Sequence, residues 1–444
     1  MTKKTVKIGA LYLIFALFSF KSEKKGIEFV EYDLPNGLHV ILHEDHTTPN
    51  VAVTVLYHVG SKNENPDRTG FAHFFEHLLF EGSENIPRGD FDKHIEEAGG
   101  VLNANTSMDR TFYFEVLPSN YLELGLWLES ERMLHAKVDD TGIETQRKVV
   151  KEEKRLRVDN RPYGSFMGEL YKRAFKEHPY QWQPIGSMEH LDAATESDYK
   201  NFYKTYYVPN NATLSIAGDI DIAKSKEWIS KYFKDIPKGK MAIKRPTVKE
   251  KPLNGEVRDV VYDNITLPAV AMAYRIPEQG TKDAYAMEML SYLLSRGESS
   301  RFTKNIVNDK QLAVQTVSFA MANEDPGLLV NLAICSNGKT ADEVEAAIDI
   351  EMDKLKAELI TEKELKKLQN IIENLFVSGF SSIQRRAEYL ADYHVYYGDA
   401  NLINTEVDRY MDITRQDIQA AAKKYLNKDN RVVLHYLPKT DKND

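Results

Sequence analysis

Two spacings of apolar residues alternate along the chain from residue 37 onward. Runs that are apolar and β-branched at nearly every position, 37–42 and 51–57, predict strands, with Pro49-Asn50 as the turn between them. Apolar residues three and four apart predict helices over 70–80, 91–98, 121–134 and 142–158, and Gly99-Gly100 stops the second of these. Strict alternation over 110–116 predicts another strand. The order then recurs. Strands are predicted at 258–262 and 269–275, a helix at 283–294 and another after Ser299. Strands follow at 313–320 and 327–334, then helices at 341–359 and 361–376. An order of strand, strand, helix, strand, helix, helix that occurs twice predicts an α+β fold. It would have two homologous domains, each a mainly antiparallel sheet packed with helices.

Punctuation and charge divide the chain further. Residues 236–255 hold Pro237, Pro246, Pro252, two glycines and many lysines, a linker composition between domains at 26–235 and 256–444. Residues 1–25 carry six lysines and one acid, Glu23. The rest of the chain holds 52 basic and 66 acidic residues, a balance of −14. Within that leader, Lys3, Lys4 and Lys7 precede the uncharged apolar stretch 8–20. This is the pattern of a signal peptide, or of a membrane anchor if it stays uncleaved, and it is short for a bilayer span. The expectation is an exported, periplasmic protein that meets a membrane only through this segment.

The acidic body argues against nucleic acid as a partner, and charge runs such as 147–154 mix signs as a solvated helix face does. One cysteine, Cys335, excludes an intrachain disulfide and a thiolate metal cluster; its apolar surroundings read as core.

The chemistry concentrates at His73-Phe74-Phe75-Glu76-His77. On a helix, positions i and i+4 share a face, so both imidazoles point the same way, with Glu76 beside them. Two neutral imidazoles suit Zn²⁺, and an adjacent carboxylate suits proton transfer from water. Burying such groups among Ala72, Phe74, Phe75, Leu78, Leu79 and Phe80 is costly without a compensating partner, which a metal supplies. The order H-x-x-E-H is the inverzincin motif. A catalytic zinc takes three protein ligands, and the helix around 144–155 is the best source of the third.

On these residues the sequence resembles the pitrilysin family of zinc metallopeptidases, the group of insulin-degrading enzymes and mitochondrial processing peptidases, over most of 27–440. The resemblance implies a third ligand about 76 residues past the second histidine. That spacing lands on Glu153 within Val149-Val150-Lys151-Glu152-Glu153, and Glu152 lies one residue off the register. Asn36-Gly37-Leu38, Gly70-Phe71-Ala72-His73, Phe175, His178-Pro179-Tyr180 and Gly186 are also family-like, although His178 taken alone reads as a surface histidine. The segment 104–111 resembles the family's strand beside the metal, which implies that Asn103, Ala104, Asn105 and Thr106 bind an extended substrate by main-chain hydrogen bonds. The implied activity is zinc-dependent endopeptidase cleavage of extended peptides or unfolded segments. One Zn²⁺ would be held by His73, His77 and Glu153, with Glu76 as general base on the attacking water.

Two departures qualify this. Seven residues before Glu153, where many relatives carry a supporting glutamate, stands Gln146. Where the resemblance places an arginine–tyrosine pair that stabilises the tetrahedral intermediate, this chain has Val307 or Asn308, and Val314. A chain of this length is one half of the family's clam-like chamber. The implied assembly is therefore a heterodimer with a homologous subunit that lacks the zinc motif and brings the Arg/Tyr pair. The alternative is a catalytically weak or inactive scaffold or peptide-binding subunit of the same family.

Overall fold

The computed structural model describes residues 26–439; the expected leader at 1–25 lies outside the described residues. In the first half, β1 (Val30–Asp33), β2 (His39–Glu44) and β3 (Asn50–Tyr57) lead into α1 (Phe71–Leu78) and α2 (Asp90–Glu97). Then come β4 (Val101–Thr106), β5 (Thr111–Pro118), α3 (Leu122–Leu134), α4 (Asp140–Lys154) and α5 (Phe166–Ala174). The half closes with α6 (Met188–Ala193), α7 (Glu196–Tyr206), β6 (Ala212–Gly218) and α8 (Ile222–Phe233). The second half runs β7 (Val257–Asp263), β8 (Ala269–Ile276), α9 (Lys282–Ser295), β9 (Ala313–Met321) and β10 (Gly327–Cys335). It continues through α10 (Ala341–Ala357), α11 (Glu362–Gly379), α12 (Ile383–Tyr397), α13 (Leu402–Met411), α14 (Arg415–Tyr425) and β11 (Arg431–Pro438).

The strands form two sheets, ordered β1-β2-β6-β3-β5-β4 and β7-β11-β8-β10-β9. Without β1 the two orders superpose strand for strand. Each sheet also contains a single parallel pair, β2 with β6 and β7 with β11, while its other pairs are antiparallel. The duplication expected from the sequence is therefore present in topology, as two α+β units.

Local chemistry explains most boundaries. Gly70 in the left-handed region starts α1, the Asp139 carboxylate accepts from Gly142 N–H to start α4, and Thr340 and Thr361 close capping boxes on α10 and α11. Three sequence expectations shift. The helix foreseen to 158 is α-helical only to Lys154 and then widens into a π-type turn at Arg155–Asp159. The helix expected after Ser299 is largely such a turn, Thr303–Asp309. The strand expected over 104–111 is the end of β4, a turn at 107–110 and the start of β5; β4 follows Gly99-Gly100 directly and exposes alternate residues, so it carries little apolar signal of its own.

Each sheet is covered on both faces, and one cover on each is exchanged between the halves. The face of the first sheet built from Val51, Val53, Val55 and Tyr57 packs on helices of its own half. Its opposite face, with Ile41, Leu56 and Phe112, packs on Leu390, Ala391 and Tyr393 of α12. Reciprocally, Leu170, Tyr171 and Ala174 of α5 pack against Ala271, Leu328, Val330 and Leu434 of the second sheet. The stretch between α8 and β7 has no regular element. Glu250 within it accepts from the N–H groups of Lys176, Glu177 and His178 at 3.0, 2.8 and 2.8 Å, which ties it to the turn after α5.

Candidate metal centre

Helix α1 is anchored before it is functional. Glu64 accepts from Gly70 N–H and Ala72 N–H, each at 2.9 Å, so a carboxylate closes the helix N-terminus. Burial pushes that carboxyl up to about 8, against the pull of those N–H groups. Gly186 lies against Gly70 so closely that a Cβ on it would collide with the Gly70 Cα. One face of α1 is held by aromatic stacking: Phe71 and Phe74 lie 4.7 and 4.5 Å from the Tyr199 ring, and Phe75 stacks on Phe202. Tyr113 donates to the Phe75 carbonyl at 2.9 Å.

That packing leaves His73 and His77 on the remaining face, their rings 4.8 Å apart and nearly perpendicular. Helix α4 crosses α1 and brings Glu153, rather than Glu152, to them. The Glu153 Oε2 lies 3.0 Å from His77 Nε2 and 3.5 Å from His73 Nε2. Glu152 turns outward and pairs with Arg155. The second Glu153 oxygen is held by Arg157 at 2.6 Å, an i,i+4 pair. The His77 imidazole beside it holds the Glu153 carboxyl below its usual range, whereas burial drives His73 down to about 4 and so keeps it neutral.

These atoms fit a zinc ion. The Glu153 Oε2 is buried without a hydrogen-bond partner and faces two imidazole nitrogens. Its separations from them match the edges of about 3.3 Å that tetrahedral ligands make at 2.0–2.1 Å from zinc. Two other clusters of metal-type side chains occur among the described residues, and neither has this form. Glu345, beside Asp342 and His435, is held by Arg258 and Arg431. His39 and His394, beside Glu31, stack face to face at 3.4 Å, so their lone pairs run parallel and do not converge.

Glu76 faces the first sheet. Its Oε2 accepts from Thr106 Oγ1 at 2.6 Å, which couples it to the end of β4. Burial raises its pKa and the threonine bond opposes that rise. Among the described residues strand β4 is a free edge, paired only with β5, and it presents Asn103 through Thr106 beside α1. The Asn103 side-chain oxygen accepts from Ala104 N–H at 2.9 Å.

One expectation, that for His178, is corrected, and Gln146 has a partner outside the candidate ligand set. Its Nε2 donates to Glu81 Oε1 at 2.5 Å, in a network where Arg88 joins Glu81 to Asp139, the residue that caps α4. A donor suits this position because its neighbour is a carboxylate. His178 is buried, not at the surface: its Nδ1 accepts from Tyr180 N–H at 3.2 Å and its Nε2 lies 3.4 Å from Asp325 of the second half. Val314 lies exposed on β9 and offers no hydrogen-bonding side chain. Sequence reasoning missed Glu64 and Arg157. The i,i+4 spacing of Glu153 and Arg157 was the one readable signal for the second.

Comparison with known proteins agrees with the fold. Residues 39–185 match the family described as "Insulinase (Peptidase family M16)", and residues 193–372 match "Peptidase M16 inactive domain". The chain is similar to the zinc protease PqqE of Helicobacter pylori, 34% identical over 407 residues with 91% of each chain covered. It resembles the crystal structure of a protease from Helicobacter pylori with a TM-score of 0.89 at 32% identity, over 93% of this chain and 100% of that one. Pitrilysin shares the fold at a TM-score of 0.76 and 19% identity, the match covering 96% of this chain and 46% of pitrilysin. On the matched regions, and on its likeness to a named zinc protease along nine-tenths of its length, this chain belongs to the insulinase family of proteases, peptidase family M16.

Proposed function

We propose that this chain is a zinc-dependent endopeptidase subunit acting on extended peptides or unfolded segments. The observation that carries the reading is the convergence of His73, His77 and Glu153 on one point beside Glu76, itself bonded to the edge strand through Thr106. His73, His77 and Glu153 would hold the metal. Bound there, zinc supplies Lewis-acid polarisation of the scissile carbonyl and a lowered pKa for the attacking water. Glu76 takes the proton from that water and passes it to the leaving amine, and its raised pKa suits both transfers. Asn103 to Thr106 align the peptide as an added strand; the Asn103 side chain gives up its bond to Ala104 N–H as the substrate arrives.

The assembly follows from what the chain lacks. Val307 and Val314 carry no donor and Asn308 has neither the charge nor the reach of an arginine, so in this reading a homologous subunit without the zinc motif supplies an Arg/Tyr pair in a heterodimer. The match to less than half of pitrilysin supports a half-chamber. The domain boundaries we favour remain 26–235 and 256–444 joined by 236–255, with residues 1–25 directing export to the periplasm.

The test is metal content and peptide hydrolysis of the wild type and Glu76→Gln. The reading expects one zinc per chain in both, and hydrolysis only by the wild type together with its partner subunit. A wild type with neither zinc nor activity makes the chain a scaffold. Robust zinc-dependent hydrolysis by the purified chain alone removes the heterodimer.

A further inference from the structure

Beyond α4 the backbone is shaped with unusual care. The π-type turn Arg155–Asp159 leads into Tyr163, whose φ of +58° puts a bulky side chain in the left-handed region. Gly164 follows, where a Cβ would collide with the Val158 carbonyl. Two bonds to the β7–β8 connection pin the turn: Tyr163 N–H to Asp263 Oδ2 at 2.9 Å, and Tyr163 O–H to the Leu267 carbonyl at 2.8 Å. Strain held this firmly marks a segment whose position matters.

The turn's position creates a cavity of about 320 Å³ between itself and the second sheet. Its floor is largely apolar, from Val317 of β9 and from Leu332 and Ile334 of β10, with the polar Gln315 opposite Ile334 and with Phe166 also lining the cavity. Arg157 and Arg161 form its rim. Arg157 spends one nitrogen on Glu153, which joins this cavity to the metal centre. Arg161 is exposed and, among the described residues, its guanidinium has no hydrogen-bond or ion-pair partner. A cationic rim over an apolar floor is complementary to a group that is anionic and apolar at once.

We propose that this cavity is a substrate subsite for the C-terminal residue of a peptide, its carboxylate on Arg157 and Arg161 and its apolar side chain on the Val317–Leu332–Ile334 floor. The inference rests on the peptidase reading above. A terminal leucine uses both features of the cavity, whereas an aspartate or glutamate side chain would use the rim and leave the floor empty. Arg157 and Arg161 are specificity residues in this scheme, and hydrolysis occurs upstream of the anchored end.

Binding tests this separately from turnover. Zinc-loaded full-length protein carrying Glu76→Gln is titrated into N-terminally fluorescein-labelled peptides, and anisotropy reads Kd. The peptides share one sequence and end in leucine as the free acid, leucine amide, alanine as the free acid, or glutamate amide. The leucine acid is expected to bind about fivefold tighter than its amide, the scale of one exposed charge pair, and tighter than the alanine acid. Arg161→Glu is expected to erase the acid preference and Arg161→Lys to keep it. Equal Kd for leucine acid and amide overturns the subsite. So does a preference that survives Arg161→Glu, or a glutamate amide that binds as tightly as the leucine acid. The acid–amide comparison needs no substitution at Arg161, so a misfolded variant does not decide the matter. If the preference holds but the wild type binds no zinc and, together with its partner subunit, hydrolyses none of these peptides, the peptidase reading falls while the subsite stands.

Discussion

Gln146→Glu restores the residue that many relatives carry, and here it should damage the protein. In the structure the Gln146 amide donates to Glu81 at 2.5 Å. A carboxylate at 146 removes that donor and sets two negative charges face to face. At an effective dielectric of 20 and a relaxed separation of 4 Å the repulsion is about 4 kcal/mol. The pair has an escape, which is to take up one proton. From a glutamate reference pKa of about 4.3 that uptake costs about 3.7 kcal/mol at pH 7 and about 1 kcal/mol at pH 5. Protonation therefore caps the damage, and the protonated acid donates to Glu81 much as the amide did. The sign follows by linkage: the folded variant holds a proton that the unfolded chain has released above pH 4.3, so its stability falls as pH rises from 4.3 to 7. Urea unfolding of metal-free wild type and variant at pH 5 and pH 7 measures the difference. Arg88, paired with Glu81, offsets part of that repulsion, so the expected loss is about 3 kcal/mol at pH 7, shrinking to about 1 kcal/mol at pH 5. A variant as stable as wild type at pH 7, or a loss independent of pH, would refute the assignment of Gln146 to Glu81.

Three further outcomes follow from the same geometry. Glu153→Gln should weaken zinc binding at least about tenfold while Glu152→Gln leaves it unchanged; metal competition titrations reporting the opposite would move the third ligand by one residue. Thr106→Val removes the bond that holds Glu76 down, so the acid limb of the kcat/KM profile should move up by about one pH unit, and an unmoved limb detaches Thr106 from the general base. Gly186→Ala adds a Cβ at a φ of +68° against Gly70 and should cost about 2 kcal/mol or more in denaturant unfolding; an unchanged midpoint would show that the loop does not brace α1.

Periodicity made the helix of His73 and His77 readable, because i and i+4 share a face whatever the surrounding fold. It also placed the central strands β2, β3, β8 and β10, whose positions are almost all buried. It failed at edges and at long range. Strand β4 is half exposed and carries two asparagines, so propensity alone leaves it a loop, although it is the strand that touches Glu76. Glu64 caps α1 from outside any helical register, and its carboxylate looks like any surface acid until the chain folds back upon it. Gln146 was placed correctly on the helix of Glu153, but the sequence says nothing of Glu81, which reaches it from 65 positions away and decides what an amide there is for. His178 was misread for the same reason: its partner Asp325 belongs to the other half.

The exchange of α5 and α12 ties the candidate metal centre in the first half to the second half. The two helices occupy equivalent places, each third after the last strand of the antiparallel run, and each leaves its own sheet to cover the other. Neither sheet has a dry second face without the opposite half. The metal centre inherits this dependence. Arg110, in the turn after β4, is locked to Glu388 and Asp392 of α12, the latter at 2.5 Å. The turn that ends the edge strand β4 is thereby set by the second half, which has no H-x-x-E-H of its own. Asp109 in the same turn accepts from Tyr180 at 2.6 Å and from the Glu324 N–H at 3.1 Å, one bond from each half. The second half, which carries no H-x-x-E-H, thereby acts as the clamp that positions the edge strand of the first.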